Sequence, residues 1–284
     1  MQLYADDTVL YVHAKTKQEA AAILSAALAP VSNWLNESCL HLNTKKTVCM
    51  FFSRQSAEGD LPSVVVNGES LDVMEEFKYL GVVFDTNLSF KAHVKKIKNI
   101  INFNLSNFYH IRPFLTSKTA KVYMHAMIFS HINYCCTTWT HTTESILKPI
   151  KSLFKKAVKI LARKPLRFHY CNVLKKFNIL DLDSHQTFMD ACLIYKILNA
   201  SAPPPLNEFI QKKNNEGRTT RAQTRGDCNV PRRRTKFCQM VLSVRGTHSW
   251  NKLPLYIRNC NNYILFKKNL KHWLRIKQTC THLP

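Results

Sequence analysis

The spacing of apolar residues predicts a hairpin and a helix at the start of the chain. Residues 3–12 are β-prone but are interrupted by Asp6 and Asp7, so these carboxylates are expected at the tip of a tight hairpin. Apolar residues then recur every three or four positions from residue 15 to about residue 36, which predicts an amphipathic helix. Pro30 lies inside this pattern and is expected to kink or split the helix.

Three more strands are predicted before residue 92. Residues 47–52 form an apolar run, residues 64–69 contain the hairpin signal Asn67-Gly68, and residues 77–85 are β-prone around Gly81. A glycine inside a strand suggests the close approach of another backbone. Strand, helix and strand in succession predict a half-sheet covered by one helix.

From residue 93 onward the pattern changes to helices. Apolar residues at helical spacing predict helices over residues 93–110, 118–132, 145–163 and 187–199. Three prolines at 203–205 end the last of these and predict a boundary. We therefore expect an α+β chain with three regions, 1–92, 93–205 and 206–284.

Charge divides the chain as sharply as the apolar pattern does. The 284 residues carry a formal net charge of +23, with 41 Lys and Arg against 18 Asp and Glu. Residues 1–90 hold six of the basic and eleven of the acidic residues, so the rest hold 35 and seven. This imbalance favours a polyanion as the ligand of the second part, because neutralising backbone phosphates releases counterions. The alternative is a solvated charged surface without a ligand.

The helix predicted over residues 145–163 combines the apolar pattern with the positive charge. In residues 145–163 an apolar stripe is opposed by five basic residues that recur every three or four positions. The basic residues are Lys148, Lys151, Lys155, Lys159 and Arg163. Their face is either solvated or in contact with nucleic-acid phosphates.

The last region is predicted to be partly disordered. Residues 211–236 contain nine Lys and Arg with almost nothing to bury, so we expect a mobile segment that RNA or DNA orders. Residues 237–273 regain apolar residues, among them Trp250 and Trp273, and are expected to fold. These tryptophans could stack on bases, although a place in the core is the expected one.

Cysteine usage and hydropathy indicate an intracellular protein. The ten cysteines include no Cys-x-x-Cys pair, and no apolar run approaches the roughly 18 residues that span a bilayer. We therefore expect mostly free thiols, no membrane partner, and a place in the cytoplasm or nucleus. Histidines and cysteines at 125, 131, 135, 136 and 141 match no common zinc spacing, so no metal is assigned there.

The Asp6-Asp7 pair is the main candidate for chemistry. Two adjacent carboxylates repel each other, and the pKa of one rises, unless a cation or basic group neutralises them. Mg²⁺ suits the pair, since it is held by one or two carboxylates together with substrate phosphates. The alternative is a surface hairpin in which the pair only caps a turn.

Three successive motifs resemble those of reverse transcriptases of non-LTR (LINE-type) retrotransposons. They are Tyr4-Ala5-Asp6-Asp7, then Leu42-Asn43 with Lys46-Thr47, then Tyr79-Leu80-Gly81 with Asp85, Leu88-Ser89-Phe90 and His93. Their order is that of motifs C, D and E of the polymerase palm. Shorter segments between residues 199 and 271 resemble the stretch that closes LINE-type polyproteins, so the likeness covers nearly the whole chain. It implies a partial palm of antiparallel hairpins and one helix, followed by a basic, mostly helical, thumb-like region.

The resemblance implies a set of catalytic roles in RNA-templated DNA synthesis. Asp6 and Asp7 would bind Mg²⁺ for two-metal phosphoryl transfer, with Asp6 coordinating directly and Asp7 supporting it. Lys46 would neutralise or protonate the leaving pyrophosphate, since a lysine is a compact cation with an adjustable pKa.

The resemblance also implies residues that position the template-primer. Tyr4 would contact it near the primer terminus. The hairpin through Tyr79, Leu80 and Gly81 would form the primer grip, and residues 47–52 would lie beside the catalytic hairpin. RNA and DNA are therefore the expected partners.

The family places a third catalytic carboxylate and the nucleotide-binding fingers ahead of the catalytic hairpin. These parts are missing from the 284 residues, so we expect this chain alone not to polymerise DNA. Three possibilities follow: an inactive polymerase fragment, a non-catalytic nucleic-acid-binding protein that uses its basic helical half, or an enzyme completed by a missing N-terminal polymerase portion.

Overall fold

The computed structural model describes residues 1–5, 7–40, 42–53, 61–165, 167–213 and 225–278. The chain forms two compact units, Met1–Ala92 and His93–Pro284, and divides where the charge and helical pattern change. Strands dominate the first unit and helices the second, so the chain is a mixture of helix and sheet, consistent with the α+β class that the apolar pattern predicts.

The first unit pairs its short strands two by two around one long helix. Among the described residues the strands are β1 (Gln2–Tyr4), β2 (Asp7–Val9), β3 (Val48–Cys49), β4 (Val65–Val66), β5 (Glu69–Ser70), β6 (Asp72–Val73), β7 (Glu76–Tyr79) and β8 (Val82–Asp85), and the helix is α1 (Lys17–Glu37). Pairs β1-β2, β4-β5 and β7-β8 are antiparallel hairpins.

Two of these hairpins turn through residues with positive φ. Asn67 and Gly68 have φ of 53° and 80°, and Leu80 and Gly81 have 43° and 84°, the pattern of a type I′ turn. The predicted turn at Asn67-Gly68 is therefore confirmed. The prediction of one strand over residues 77–85 is wrong, because Gly81 supplies the left-handed turn of a hairpin and not a close backbone approach.

Strand β3 does not lie where the resemblance implied. It pairs in parallel with β6, in the register Val48 to Asp72, and the first hairpin forms a separate two-stranded sheet. The expected half-sheet joining residues 47–52 to the first hairpin is therefore wrong for the described residues. Cys49 of β3 is buried in a small core with Val64, Val66 and Leu71, and this local burial fixes the partner of the strand.

Helix α1 is continuous through Pro30 and is capped by Thr16. Most of the predicted apolar stripe is at least half-buried and Leu28 is buried, but Ile23 and Trp34 are 43% and 60% exposed. Two serines of the helix add polar contacts to this face. The Ser25 hydroxyl accepts the N–H of Val65 at 3.1 Å, and the Ser32 hydroxyl donates to the side-chain oxygen of Asn67 at 2.7 Å.

From Lys91 onward the described residues are helical. Their α-helices are α2 (Lys91–Ile111), α3 (Ser117–Met124), α4 (Ser130–Asn133), α5 (Cys136–Trp139), α6 (Glu144–Leu161), α7 (Cys171–Phe177), α8 (Leu182–Leu198), α9 (Lys236–Met240), α10 (Leu242–Asn251), α11 (Leu255–Arg258) and α12 (Tyr263–Lys277). A π-helical segment, His125–Phe129, joins α3 to α4. The four helices predicted from the apolar pattern are all present, the second as α3, this π segment and α4.

One hydrophobic core of the second unit lies around α8. Residues of α8 pack with Trp250 of α10 and with Phe266 and Leu270 of α12, and the ring of Tyr195 stacks on that of Phe266 with centroids 4.3 Å apart. This core joins residues on both sides of the expected boundary at 205/206. Trp250 is 3% exposed, so it is a core residue and is not available to stack on a base.

The flanks of the basic segment 211–236 are attached to this core. Lys212 and Cys228 form an antiparallel bridge, and Cys228 is fully buried. The side chain of Asn251 accepts from the Cys228 N–H at 2.8 Å and donates to its carbonyl at 2.9 Å. The expectation that this segment has almost nothing to bury is therefore wrong for its flanks, whereas residues 214–224 lie outside the described residues.

We predict that Phe266→Ala lowers the free energy of unfolding of the second unit by about 3–5 kcal/mol, because it leaves a cavity in the core around α8. Urea denaturation followed by circular dichroism measures this change. Ile264→Ala is the control, since Ile264 lies on the same helix but is 72% exposed. Equal losses in the two variants would contradict the packing around α8.

Candidate nucleic-acid site

The first hairpin has the geometry expected of the candidate catalytic turn. Tyr4 lies opposite Asp7 in the β1-β2 register, so the connection consists of Ala5, with φ of 52°, and Asp6. Asp6 itself lies outside the described residues. Tyr4 is 63% exposed, and Asp7 is also exposed at the start of β2. The hairpin therefore presents the Asp7 carboxylate to solvent beside its turn.

The motif around Lys46 forms a turn that Asn43 organises. The Asn43 carbonyl and side-chain oxygen accept the N–H of Lys46 at 3.1 and 3.2 Å, and the Thr47 hydroxyl donates to the same carbonyl at 2.9 Å. Lys46 is exposed. Within the described residues no hydrogen bond or ion pair joins its ammonium group to Asp7, so its role beside the carboxylates stays a prediction.

Asp85, which follows the Tyr79-Leu80-Gly81 motif, has a structural role that the sequence did not show. The Asp85 carboxylate accepts the backbone N–H groups of Asn87, Ser89 and Phe90 at 3.2, 2.8 and 2.6 Å, and also the Ser89 hydroxyl at 3.2 Å. It thereby shapes the loop that leads from β8 into α2. The grip role of the Leu80-Gly81 turn is untested, but the turn itself is present.

Helix α6 has the two faces that its sequence predicts. Ile150, Phe154 and Val158 are buried, whereas Lys148 and Lys155 are exposed. The Lys155 ammonium also lies 5.2 Å from the ring centre of Tyr170. Lys156, which the sequence analysis did not single out, is exposed as well, and Lys159 is half-buried.

Lys151 and Arg163, two of the predicted phosphate-binding residues, bind oxygen atoms of the protein itself. The Lys151 ammonium lies 2.8 Å from a Glu144 oxygen and 2.7 Å from an Asp183 oxygen, which links α6 to α8. Arg163 follows the helix with φ of 53° and donates to the carbonyl oxygen of Pro113 at 2.7 Å. Lys148 and Lys155 are therefore more available to a ligand than Lys151 or Arg163, which already bind oxygen atoms of the protein.

A buried polar network fixes the helices behind this surface. Arg245 of α10 pairs with Asp190 of α8 at 2.8 Å and donates to the carbonyl oxygen of Thr140 at 3.3 Å. Burial raises the pKa of Asp190 to about 6 and lowers that of His141, which contacts the Met240 carbonyl, to about 4. These groups are largely enclosed, so they hold the fold and do not form an open site.

The distribution of acidic residues adds to the positive character of the second unit. Residues 86–143 contain seven Lys and Arg and no Asp or Glu, and residues 228–284 contain twelve and none. Among the residues that the structure describes, no group of three or more His, Cys, Asp or Glu is arranged to hold a metal ion. No described helix is both long and apolar enough to cross a bilayer.

Comparison with known proteins finds polymerases of mobile elements. Over 96 residues the chain is 30% identical to the "RNA-directed DNA polymerase from mobile element jockey" of Drosophila funebris, which covers 34% of this chain and 10% of that protein. Over 92 residues it is 30% identical to the "Probable RNA-directed DNA polymerase from transposon BS" of Drosophila melanogaster, with 32% and 10% covered. The match thus spans about a tenth of the length of these relatives. No family model and no solved structure matches.

We predict that Asp85→Ala destabilises the first unit by about 2–3 kcal/mol, because three backbone N–H groups lose a charged acceptor. The urea midpoint of the first unit measures this loss. Asp72→Ala is the matched control, since Asp72 is an exposed carboxylate on β6 of the same unit. If both variants unfold at the same urea concentration, the loop does not depend on Asp85.

Proposed function

We propose that the chain is a segment of an RNA-directed DNA polymerase of a non-LTR (LINE-type) retrotransposon. The observation that carries the proposal is the register that places Asp7 opposite Tyr4 at the exposed end of a hairpin. This hairpin begins a series of three motifs whose order resembles the palm. The partial similarity to RNA-directed DNA polymerases of mobile elements supports the same assignment.

Asp6 and Asp7 are the proposed ligands of Mg²⁺. Carboxylate oxygens are the donors that this ion prefers, and the Asp7 carboxylate is exposed and open to substrate phosphates. When bound, Mg²⁺ would lower the cost of charge that develops on the attacking and leaving oxygens. Lys46 would balance the charge of the leaving pyrophosphate, and Tyr4 would orient the primer terminus.

The isolated chain is proposed to be inactive. Leu3 and Tyr4 of the first hairpin are 66% and 63% exposed, and a two-stranded hairpin is only marginally stable without further packing. Catalytic groups must be held to within about 0.5 Å of the productive geometry. We propose that the remaining polymerase portion covers this hairpin and supplies the further carboxylate and the nucleotide pocket.

Primer extension on an RNA template with Mg²⁺ tests this function in two proteins. The purified chain is expected to add no nucleotides. A jockey polymerase whose matching segment is replaced by this chain is expected to extend the primer. In that chimera Asp6→Asn and Asp7→Asn should lower the rate by about a hundredfold or more, because each removes a metal ligand.

Asp72→Asn is the control in the chimera, since it removes an exposed carboxylate from the same unit. A folded chimera that is inactive, or that is unaffected by both hairpin substitutions, would refute the polymerase assignment. Extension by the isolated chain that Asp6→Asn abolishes would refute only its proposed inactivity.

A non-catalytic role in nucleic-acid binding is the second candidate, and the exposed lysines of α6 favour it. Lys148, Lys155 and Lys156 are exposed on one helix, whereas Glu144, the acidic residue of that helix, is paired with Lys151. Backbone phosphates are the natural ligands of such a face, because their neutralisation releases counterions. This function needs neither the hairpin nor a metal.

For the binding function we predict a strong salt dependence. The slope of log K against log salt for a single-stranded 20-nucleotide RNA should become less steep by about 1.4 in the double variant Lys148→Gln/Lys155→Gln, since each phosphate contact contributes about 0.7. Fluorescence anisotropy across a salt series measures it. The double variant Lys17→Gln/Lys45→Gln, in the first unit, should keep the original slope. A flat wild-type plot would remove the electrostatic model.

A further inference from the structure

Five basic side chains of the second unit interact electrostatically with one another. They are Lys121 of α3, His125 of the π-helical segment, His185 of α8, and Lys271 and Arg275 of α12. Lys121 and Lys271 both lower the pKa of His125, and Lys271 also lowers that of His185, in each case adding to the effect of burial. Arg275 and Lys121 in turn add to the partial burial that lowers the pKa of Lys271.

Hydrogen bonds fix two of these cations next to each other. The Lys121 ammonium donates to the carbonyl oxygen of Phe177 at 2.6 Å, and Arg275 donates to that of Asn178 at 2.8 Å. These are successive carbonyls at the end of α7, so the two side chains converge from opposite helices. Lys271 precedes Arg275 by four residues and therefore lies on the same face of α12.

No carboxylate compensates this cluster within the described residues. The stretches that contain α3 and α12 have no acidic residue, so α8 is the only one of the three helices that could supply one. Its carboxylates and the one at its cap are engaged elsewhere. Asp181 accepts the N–H of Ser184, Asp183 pairs with Lys151, and Asp190 pairs with Arg245.

Polar atoms of the cluster remain without partners in the described part of the chain. The Nε2 of His185 and the Nε of Arg275 are buried and accept or donate no hydrogen bond there. The Lys271 side chain is exposed, and no hydrogen bond or ion pair engages its ammonium group among the same residues. His125 and Lys271 are the exposed members of the cluster, so an external anion would contact them first.

We propose that Lys121, His125, His185, Lys271 and Arg275 form a binding site for a phosphate group. A phosphate offers several acceptor oxygens and the negative charge that no described carboxylate supplies to this cluster. It comes either from the backbone of a nucleic-acid strand or from the terminal phosphate of a nucleotide. The site does not rest on the polymerase assignment, because none of its residues belongs to the hairpin or to the motifs that resemble the palm.

The first test uses inorganic phosphate and the full chain. Phosphate should shift the imidazole NMR signals of His125 and His185, and Lys271→Gln should weaken this binding by about tenfold or more, as expected when one charge-assisted hydrogen bond is lost. Lys268→Gln is the control, since Lys268 is an exposed lysine one turn earlier on α12, and its affinity should stay within about twofold.

Thermal stability gives a second readout that a purely structural role of Lys271 would not produce. Without phosphate, Lys271→Gln should melt at the same or a higher temperature than the wild type, because it removes a repelling charge. Phosphate should raise the melting temperature of the wild type and of Lys268→Gln but not that of Lys271→Gln. A lower melting temperature in phosphate-free buffer would mean that Lys271 serves the fold, and would overturn the proposal.

Competition against bound phosphate distinguishes the two sources. An RNA oligonucleotide without terminal phosphates that displaces it assigns the site to a strand backbone. A nucleoside monophosphate that displaces it while the oligonucleotide does not assigns the site to a terminal phosphate. Displacement by neither, or equal phosphate shifts in Lys271→Gln and Lys268→Gln, overturns the proposal.

Discussion

The buried ion pair between Asp190 and Arg245 is the constraint on which the second unit depends. Asp190 is 1% exposed at the centre of α8, and losing one partner of such a pair commonly costs about 3–5 kcal/mol, because the other charge stays buried. The pair ties α10 to α8, while the link from Lys151 to Asp183 ties α6 to α8. The lysines of α6 and the basic cluster around α12 are therefore both held in fixed positions relative to α8.

These ion pairs also explain why the surface of the second unit is so positive. The unit has few acidic residues, and the fold uses most of those described for internal contacts. Glu144 and Asp183 bind Lys151, Asp190 binds Arg245, and Asp227 binds Arg258 at 2.8 Å. Because these carboxylates are already paired with cations of the same chain, most of the exposed lysines and arginines have no local counterion. A polyanionic ligand would neutralise this excess of positive charge.

Local signals in the sequence predicted local structure, and contacts between distant residues were not predictable in the same way. Asn67-Gly68 marks its own turn. The turn at Leu80-Gly81 was hidden from the apolar pattern, because leucine rarely adopts positive φ, and was expected only from the resemblance. The parallel pairing of β3 with β6 depends on burial of residues far apart in sequence. The apolar pattern of α1 could not show its contacts with the β4-β5 hairpin that Ser25 and Ser32 make, because these residues are polar.

The same distinction separates the motif residues that the fold explains from those that it does not. Asp85 and Asn43 satisfy backbone groups of their own loops, and Asn251 satisfies those of Cys228, so folding alone accounts for their presence. Tyr4 and Lys46 are exposed, and no hydrogen bond of their side chains to another described residue accounts for them. A likeness in sequence can therefore preserve a loop without preserving a reaction. Evidence for catalysis has to come from the exposed hairpin, because the residues that bind backbone groups would be retained by any chain with this fold.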